Sequence, residues 1–346
     1  MTGRDENARS TTASSDPDGG EGDTADDGLR YADVGVDIEA SEDATTALLE
    51  AFGSELTTEY AGLLDIGDRY LALATDGVGT KLLVAEAVGD FSTIGIDCIA
   101  MNVNDLVAAG VEPVAFVDYL AIEEPDDALA AEIGEGLAVG LELADLTLLG
   151  GETAVMPEVI TGFDLAGTCA GLATPDEVLD GTAAVGDVLV GVPSSGIHSN
   201  GLTLARHAVT RNHDYDDPFP GDPDRSIGEV LLEPTRIYVD LLAPMHEHGA
   251  RAAAHVTGGG WTNLLRMGER RYVIEDPCPA QDVFAFVAEE GNVSSEEMHR
   301  TFNMGTGFVV ALPPDVADEF ADRVDGRVIG HVEAGAAVEI RGLTIE

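Results

Sequence analysis

Of the seventeen Lys and Arg residues in this chain only one is lysine, Lys81, and it closes the segment from Ala74 to Lys81, Ala-Thr-Asp-Gly-Val-Gly-Thr-Lys. A compact ammonium behind two glycines and a threonine can meet a phosphate, because glycine turns leave backbone N–H groups free to face an anion. Asp76, Gly77, Gly79 and Thr80 follow the apolar run Tyr70 to Leu73, so the segment reads as a strand running into a phosphate-handling turn. The spacing fits neither a Walker A loop nor a dinucleotide fingerprint. A leftover surface lysine is the alternative, and the neighbours weigh against it.

A second group sits between Ile94 and Ala109. At about 100° per residue, Asp97 and Asn104 share one azimuth, with Met101 and Asp105 on the same side. Ile99, Val103, Leu106 and Val107 take the other side. The helix therefore has a core face and a carboxylate face, and the apolar sequence around it argues against that second face being simply solvated. Two glycine loops complete the chemistry-bearing set. Pro193 to Asn200 carries His198 among small residues, and His255 precedes Gly258-Gly259-Gly260, whose N–H groups at a helix start suit an anion. A glycine triplet alone is more often just a turn.

The elements that must position these residues follow from periodicity. The pattern predicts a strand over 114–121, a helix over 126–144 with Leu129, Ile133, Leu137 and Leu141 on one stripe, and a strand over 146–149 ending in Gly150-Gly151-Glu152-Thr153. A β-rich passage over 163–172 then meets the break Thr174-Pro175-Asp176. The second half repeats strand, glycine loop and helix, with a strand over 188–192 and helices from Gly201 and from Trp261. Residues 1–29 are polar and acidic with almost no large apolar side chain, so a disordered tail is expected there. Ser41 is a plausible N-cap for a helix over 42–52. The expected division is a tail over 1–29, an N-terminal ATP-binding and dimerisation domain over 30–173 and a C-terminal α/β domain over 174–346.

The formal net charge of -48, from 65 acidic and 17 basic residues, is extreme for an enzyme of 346 residues. Disorder throughout is excluded by 45% hydrophobic content and long periodic apolar stretches. Adaptation to very high salt fits, since at molar salt the Debye length is only about 3 Å. A basic face for nucleic acid is absent, three scattered cysteines (Cys98, Cys169, Cys278) suggest neither disulfides nor zinc, and no run reaches the roughly 20 apolar residues of a membrane span. A soluble cytoplasmic protein is expected.

Taken together, the segments Tyr31–Asp37, Thr75–Lys81, Gly95–Met101, Asn104–Leu106, Gly150–Thr153, Ser195–Gly201, Glu233–Tyr238, His255–Gly260 and Thr301–Gly305 resemble, in order, the phosphoribosylformylglycinamidine cyclo-ligases, also called aminoimidazole ribonucleotide synthetases. The resemblance covers nearly everything from Tyr31 onward. It implies a two-domain α/β (α+β) fold whose N-terminal sheets pair across a homodimer to form a barrel. It also implies ATP- and Mg²⁺-dependent ring closure of formylglycinamidine ribonucleotide in purine biosynthesis, and it leaves room for a monovalent cation such as K⁺. One departure is a shortened segment over 60–67, where family members are glycine-rich.

The chemistry then suggests roles. An amide oxygen leaves only after phosphorylation, so triphosphate charge must be neutralised and two steps aligned. Mg²⁺ prefers oxygen ligands, which points to Asp76, Asp105 and Glu152. Lys81, His198 and Asp97 are the expected catalytic residues. Asp76, Gly77, Gly79, Thr80, Lys81, Asn104, Gly150 and Gly151 are expected at ATP. Ser195, Gly196, His198, Ser199, Asn200, His255, Thr257, Gly258, Gly259 and Asn303 are expected at the substrate. Any of them could instead cap a helix or pair structurally. The competing functions are another ATP-using enzyme of the superfamily, or an ATP-binding regulatory protein without turnover.

Overall fold

The structure, a computed structural model, describes residues 28–35, 46–47 and 60–345. Apart from Gly28 and Leu29 the expected tail lies outside the described residues, as does the expected helix over 42–52 apart from Thr46 and Ala47.

In the first half, strands β1 (Gly62–Asp65), β2 (Tyr70–Gly77), β3 (Glu112–Ile122), β4 (Thr147–Val155) and β5 (Phe163–Ala173) form one sheet in the order β1-β2-β5-β3-β4. Only β3 and β4 run parallel, and helix Asp127–Leu143 supplies the crossover that a parallel pair needs. That helix starts at Asp126, whose side chain accepts from the N–H groups of Ala128 and Leu129. Along β2, Ala72 and Ala74 point inward while Leu73 and Thr75 point outward, the alternation of a half-covered strand. Helix α1 (Lys81–Val88) follows β2 directly, and helix α2 (Ile94–Ala108) is buried except at Ile96 and Asp105.

The Asp127–Leu143 helix, α3, lies against α2 with backbone almost touching backbone. A Cβ at Gly95 would stand 2.2 Å from the Leu137 nitrogen, and one at Gly140 would stand 2.8 Å from an Ile99 side-chain carbon. The expected stripe is present, with Ile133 and Leu137 buried, but glycines rather than large residues set the separation.

In the second half, β6 (Val188–Pro193), a small hairpin of β7 (Pro218–Phe219) and β8 (Asp222–Ser226), β9 (Ala252–His255), β10 (Arg271–Ile274), β11 (Thr306–Leu312), β12 (Arg327–Glu333), β13 (Ala337–Ile340) and β14 (Leu343–Ile345) appear in chain order. Seven of them form a sheet ordered β14-β13-β10-β12-β6-β11-β9, with the all-buried β11 near one end. One apolar core covers a face of this sheet and continues without interruption into the first half, joining Val103 and Leu106 to Val190, Tyr238 and Phe308. A second core, around Trp261 and Tyr272, covers the other face.

Residues 28–35 run against the second half of the chain. Leu29 N–H donates to Gly291 O (3.2 Å) and Tyr31 N–H to Glu297 Oε1 (2.7 Å). This strap therefore lies on the second half of the chain. Among the described residues no helix is long and apolar enough to cross a membrane.

Candidate active site

The β2–α1 turn forms where the sequence places it. Gly79 takes a φ of +73°, which its missing Cβ permits, and the chain then enters α1 at Lys81. Among the described residues the N–H groups of Gly79 and Thr80 have no hydrogen-bond acceptor, while Thr80 Oγ1 accepts from Thr203 Oγ1 at 2.9 Å. These free amides at a helix start are an anion-binding arrangement.

Lys81 is elsewhere than expected. Its ammonium does not project from a loop end but is fully buried, donating to Asp97 Oδ1 (2.9 Å) and Glu233 O (2.7 Å) and standing 2.8 Å from Asp97 Oδ2. Burial pushes its pKa down, and the Asp97 carboxylate opposes that shift. Asp97 is equally enclosed, and Oδ1 also accepts from Thr235 N–H (2.8 Å), Thr235 Oγ1 (2.5 Å) and Ser199 Oγ (3.1 Å). The pair therefore pins the two halves of the chain together.

The polar face of α2 proves to be a zipper between the halves. Thr93 Oγ1 donates to Leu232 O (3.2 Å), Asp97 takes Thr235, and Asn104 accepts from Tyr238 N–H (2.9 Å) while donating to Arg236 O (2.9 Å). All of these partners lie in the segment 232–238, which the sequence marks as a motif without a role. Asn104, expected at ATP, is buried with its amide engaged at both ends.

Those contacts have a consequence for His255. Because Tyr238 N–H and Arg236 C=O fix which end of the Asn104 amide is NH₂, the 3.3 Å contact from Asn104 Nδ2 makes His255 Nε2 the acceptor. The proton then sits on Nδ1 and is donated to Asp105 Oδ1 at 3.1 Å. Asp105 is held beside Asp76, whose carboxyl is pushed up to about 6, first by burial and then by the Asp105 charge. Asn102 steadies Asp76 from below, accepting from its N–H (2.9 Å) and donating to its carbonyl (3.2 Å). Tyr60 joins this group through its hydroxyl on His255 O (3.3 Å), and the Arg266 guanidinium lies 4.9 Å from the Tyr60 ring centre.

Glu152, Gly150 and Gly151 are not part of this group within one chain. Gly77, Ala166, Tyr119 and Glu152 form one row across β2, β5, β3 and β4, which puts Glu152 about 14 Å from Gly77 at the usual strand spacing. Asp76 belongs to the adjacent row with Gly167, Asp118 and Gly151, so its side chain leaves the opposite face of the sheet from Glu152. A strand's alternation separates what motif spacing suggested. A Cβ at Gly151 would meet Asp118 Oδ1 at 2.2 Å, so a side chain there would displace that carboxylate. Among the described residues no three of His, Cys, Asp and Glu are grouped as metal ligands.

The loops of the second half converge on the same seam. Ser195 Oγ donates to Pro234 O (2.6 Å), and Ser199 reaches Asp97 and Thr235 Oγ1. Asn200 stands against Gly258, where a Cβ would be 3.1 Å from its Oδ1. Thr257 and Gly258 are braced by Asn263, which accepts from Thr257 N–H (2.8 Å) and donates to Gly258 O (3.1 Å). Gly259 turns the chain with a φ of +92°.

His198 and Asn303 are buried inside this loop, and His198 Nδ1 has no hydrogen-bond partner among the described residues. His198 Nε2 accepts from Ser195 N–H (3.2 Å), and burial first, with the Lys81 and Arg236 charges adding to it, holds the ring neutral by lowering its pKa well below 6.5. Asn303 donates to Gly196 O (2.9 Å) and Ile197 O (3.2 Å) and accepts from Ser194 Oγ and Gly305 N–H. Both brace the 194–200 loop. Asn102, Tyr60, Thr235 and Arg266 were not singled out from sequence; the only signal for Arg266 was a cation six residues beyond a glycine triplet in a nearly lysine-free chain.

Residues 58–173 match the N-terminal domain of AIR synthase related proteins, and residues 184–342 match the corresponding C-terminal domain. The phosphoribosylformylglycinamidine cyclo-ligase of Methanosarcina barkeri is 48% identical over 92% of this chain and 98% of its own length. That of Thermococcus gammatolerans is 46% identical over 92% of this chain and 98% of its own. A solved thiamine monophosphate kinase from Aquifex aeolicus shares the fold, with a TM-score of 0.64 at 16% identity, covering 90% of this chain and 100% of that one. Two matched domains in order, and this identity over nearly the full length of the relatives, place the chain in the phosphoribosylformylglycinamidine cyclo-ligase family.

Proposed function

We propose that this chain uses ATP to close the imidazole ring of formylglycinamidine ribonucleotide, giving aminoimidazole ribonucleotide, ADP and phosphate in purine biosynthesis. The observation that carries this reading beyond family membership is the Asp76–Asp105 pair, which sits beside free turn amides at the start of α1. The reaction activates the formyl amide oxygen by phosphoryl transfer; the amidine nitrogen then attacks that carbon and phosphate leaves. Gly79 and Thr80 N–H groups meet phosphate oxygens, and His255 Nδ1–H holds Asp105 in place.

The donor set fits Mg²⁺: two hard carboxylates that repel each other unless a cation lies between them, with the other ligands left to phosphate and water. When bound, Mg²⁺ would neutralise triphosphate charge. Lys81 and Asp97 act by joining the two halves of the site, not by touching the reacting atoms. Glu152 serves the metal in no single-chain arrangement. A homodimer is supported by the outer face of the first sheet, where Leu73, Val117 and Tyr119 stand 39–49% exposed. Three free, buried cysteines fit a reducing cytoplasm.

The test is incubation of purified protein with formylglycinamidine ribonucleotide, ATP and Mg²⁺ in multimolar KCl. Aminoimidazole ribonucleotide and ADP are expected. No product with ATP left intact would sink this function.

A further inference from the structure

We propose that Arg266, stacked on Tyr60 beside the Asp76–Asp105 pair, is the residue that receives a phosphate group of the bound nucleotides and so positions it against the phosphoryl-transfer centre. The inference rests on the cyclo-ligase reading above.

Arg266 is the penultimate residue of the 3-10 segment Gly260–Met267, which begins at the last glycine of the triplet, and its side chain is exposed. The Tyr60 ring, 4.9 Å away, backs one face of the guanidinium. Tyr60 is anchored in turn through its hydroxyl to His255 O, and His255 to Asp105, so the fork is tied by two linked contacts to the carboxylate site. Its charge acts on both Tyr60 and Asp76.

The chain has 65 acidic residues, and Arg225, Arg271 and Arg327 each pair with a carboxylate. Among the described residues no carboxylate lies within ion-pairing distance of Arg266, although two aspartates share its neighbourhood. With no carboxylate taking them, donors of the fork beside the Tyr60 ring remain available to a ligand. A planar fork fixed in advance loses little freedom on meeting an anion, and phosphate is the anion whose oxygens it matches two at a time. Both ligands of the reaction carry phosphate. The triphosphate of ATP and the 5′-phosphate of the ribonucleotide are the two sources.

The decisive measurement is steady-state kinetics of Arg266→Ala, Arg266→Gln and Arg266→Lys, with ATP and formylglycinamidine ribonucleotide varied separately. Loss of a charge-assisted, two-point contact should raise one KM by about 10- to 100-fold, with partial recovery in the lysine variant. A rise for ATP assigns the triphosphate, and a rise for the ribonucleotide assigns the 5′-phosphate. Equilibrium titration of ATP alone, read by the fluorescence of the single tryptophan, Trp261, five residues before Arg266, should show the same shift in the first case and none in the second. Because the side chain is exposed, Tm should stay within about 2 °C of the parent. Tyr60→Phe, which keeps the ring, should resemble the parent more than Tyr60→Ala does. Parent turnover with both KM values within twofold in the alanine and glutamine variants overturns the inference, as does a loss confined to kcat. A parent that makes no product refutes the cyclo-ligase reading instead.

Discussion

At the scale of single residues, Asp76 and Lys81 make opposite predictions about charge. Burial and the neighbouring Asp105 raise the Asp76 carboxyl from its ordinary 3.8 to about 6. In that window the folded, metal-free protein holds a proton that the unfolded chain has released, so this group adds stability as pH falls through about 6 and withdraws it as pH rises. A cation between the two aspartates needs Asp76 ionised. Added Mg²⁺ should therefore raise Tm more at pH 7.5 than at pH 5.5, and binding near pH 6 should release a proton. Calorimetry in buffers of different ionisation enthalpy measures that proton, and Asp76→Asn should abolish it; proton release persisting in the variant would place the cation elsewhere. For Lys81 the expected effect is structural. Lys81→Met strands a buried carboxylate, a loss of about 3–5 kcal/mol, and adding Asp97→Asn should recover much of it. Thermal melts of the two singles and the double decide this, and a Lys81→Met Tm within about 2 °C of the parent would show that the pair holds nothing.

Among the elements, α2 and α3 meet through glycine. Gly95→Ala should cost about 1–3 kcal/mol or more, since its Cβ would fall on Leu137 backbone. Gly134→Ala, on the same α3 but with nothing within 4 Å, should instead stabilise by about 0.5–1 kcal/mol. Equal melting shifts in the two variants would refute the close crossing. The contrast shows what a sequence displays and what it hides. Periodicity located α2, α3, β2 and β6 because burial repeats with the geometry of each element. It also identified Asp97 and Asn104 as sharing a face. It could not say what that face meets, since the partners in 232–238 are more than a hundred residues away and two of the Asn104 contacts are to backbone atoms. For the same reason the contacts by which His198 and Asn303 brace the 194–200 loop are not visible when the sequence is read in line. Asp76, Asp105 and His255 were legible by type; the tautomer of His255 required the neighbours of Asn104.

Across the whole molecule, the charge imbalance becomes a statement about solvent. The net charge of -48 is sustained by a surface on which the described cations are arginine and histidine, because the only lysine is interior. At about 0.1 M KCl the Debye length returns to about 10 Å and repulsion among the acidic residues is restored. Tm should fall steeply from multimolar to 0.1 M KCl, and light scattering should show any dimer dissociating over the same range. A flat Tm would refute salt adaptation.

The interior position of Lys81 also makes acylation informative. An amine-directed reagent meets no exposed lysine in the folded protein, because the only lysine of the sequence is fully buried. A mass increment on Lys81 can form only in molecules whose halves have parted at the Glu233–Thr235 segment. Its rate of appearance is therefore a clock for that opening, readable on intact protein and needing no added label site.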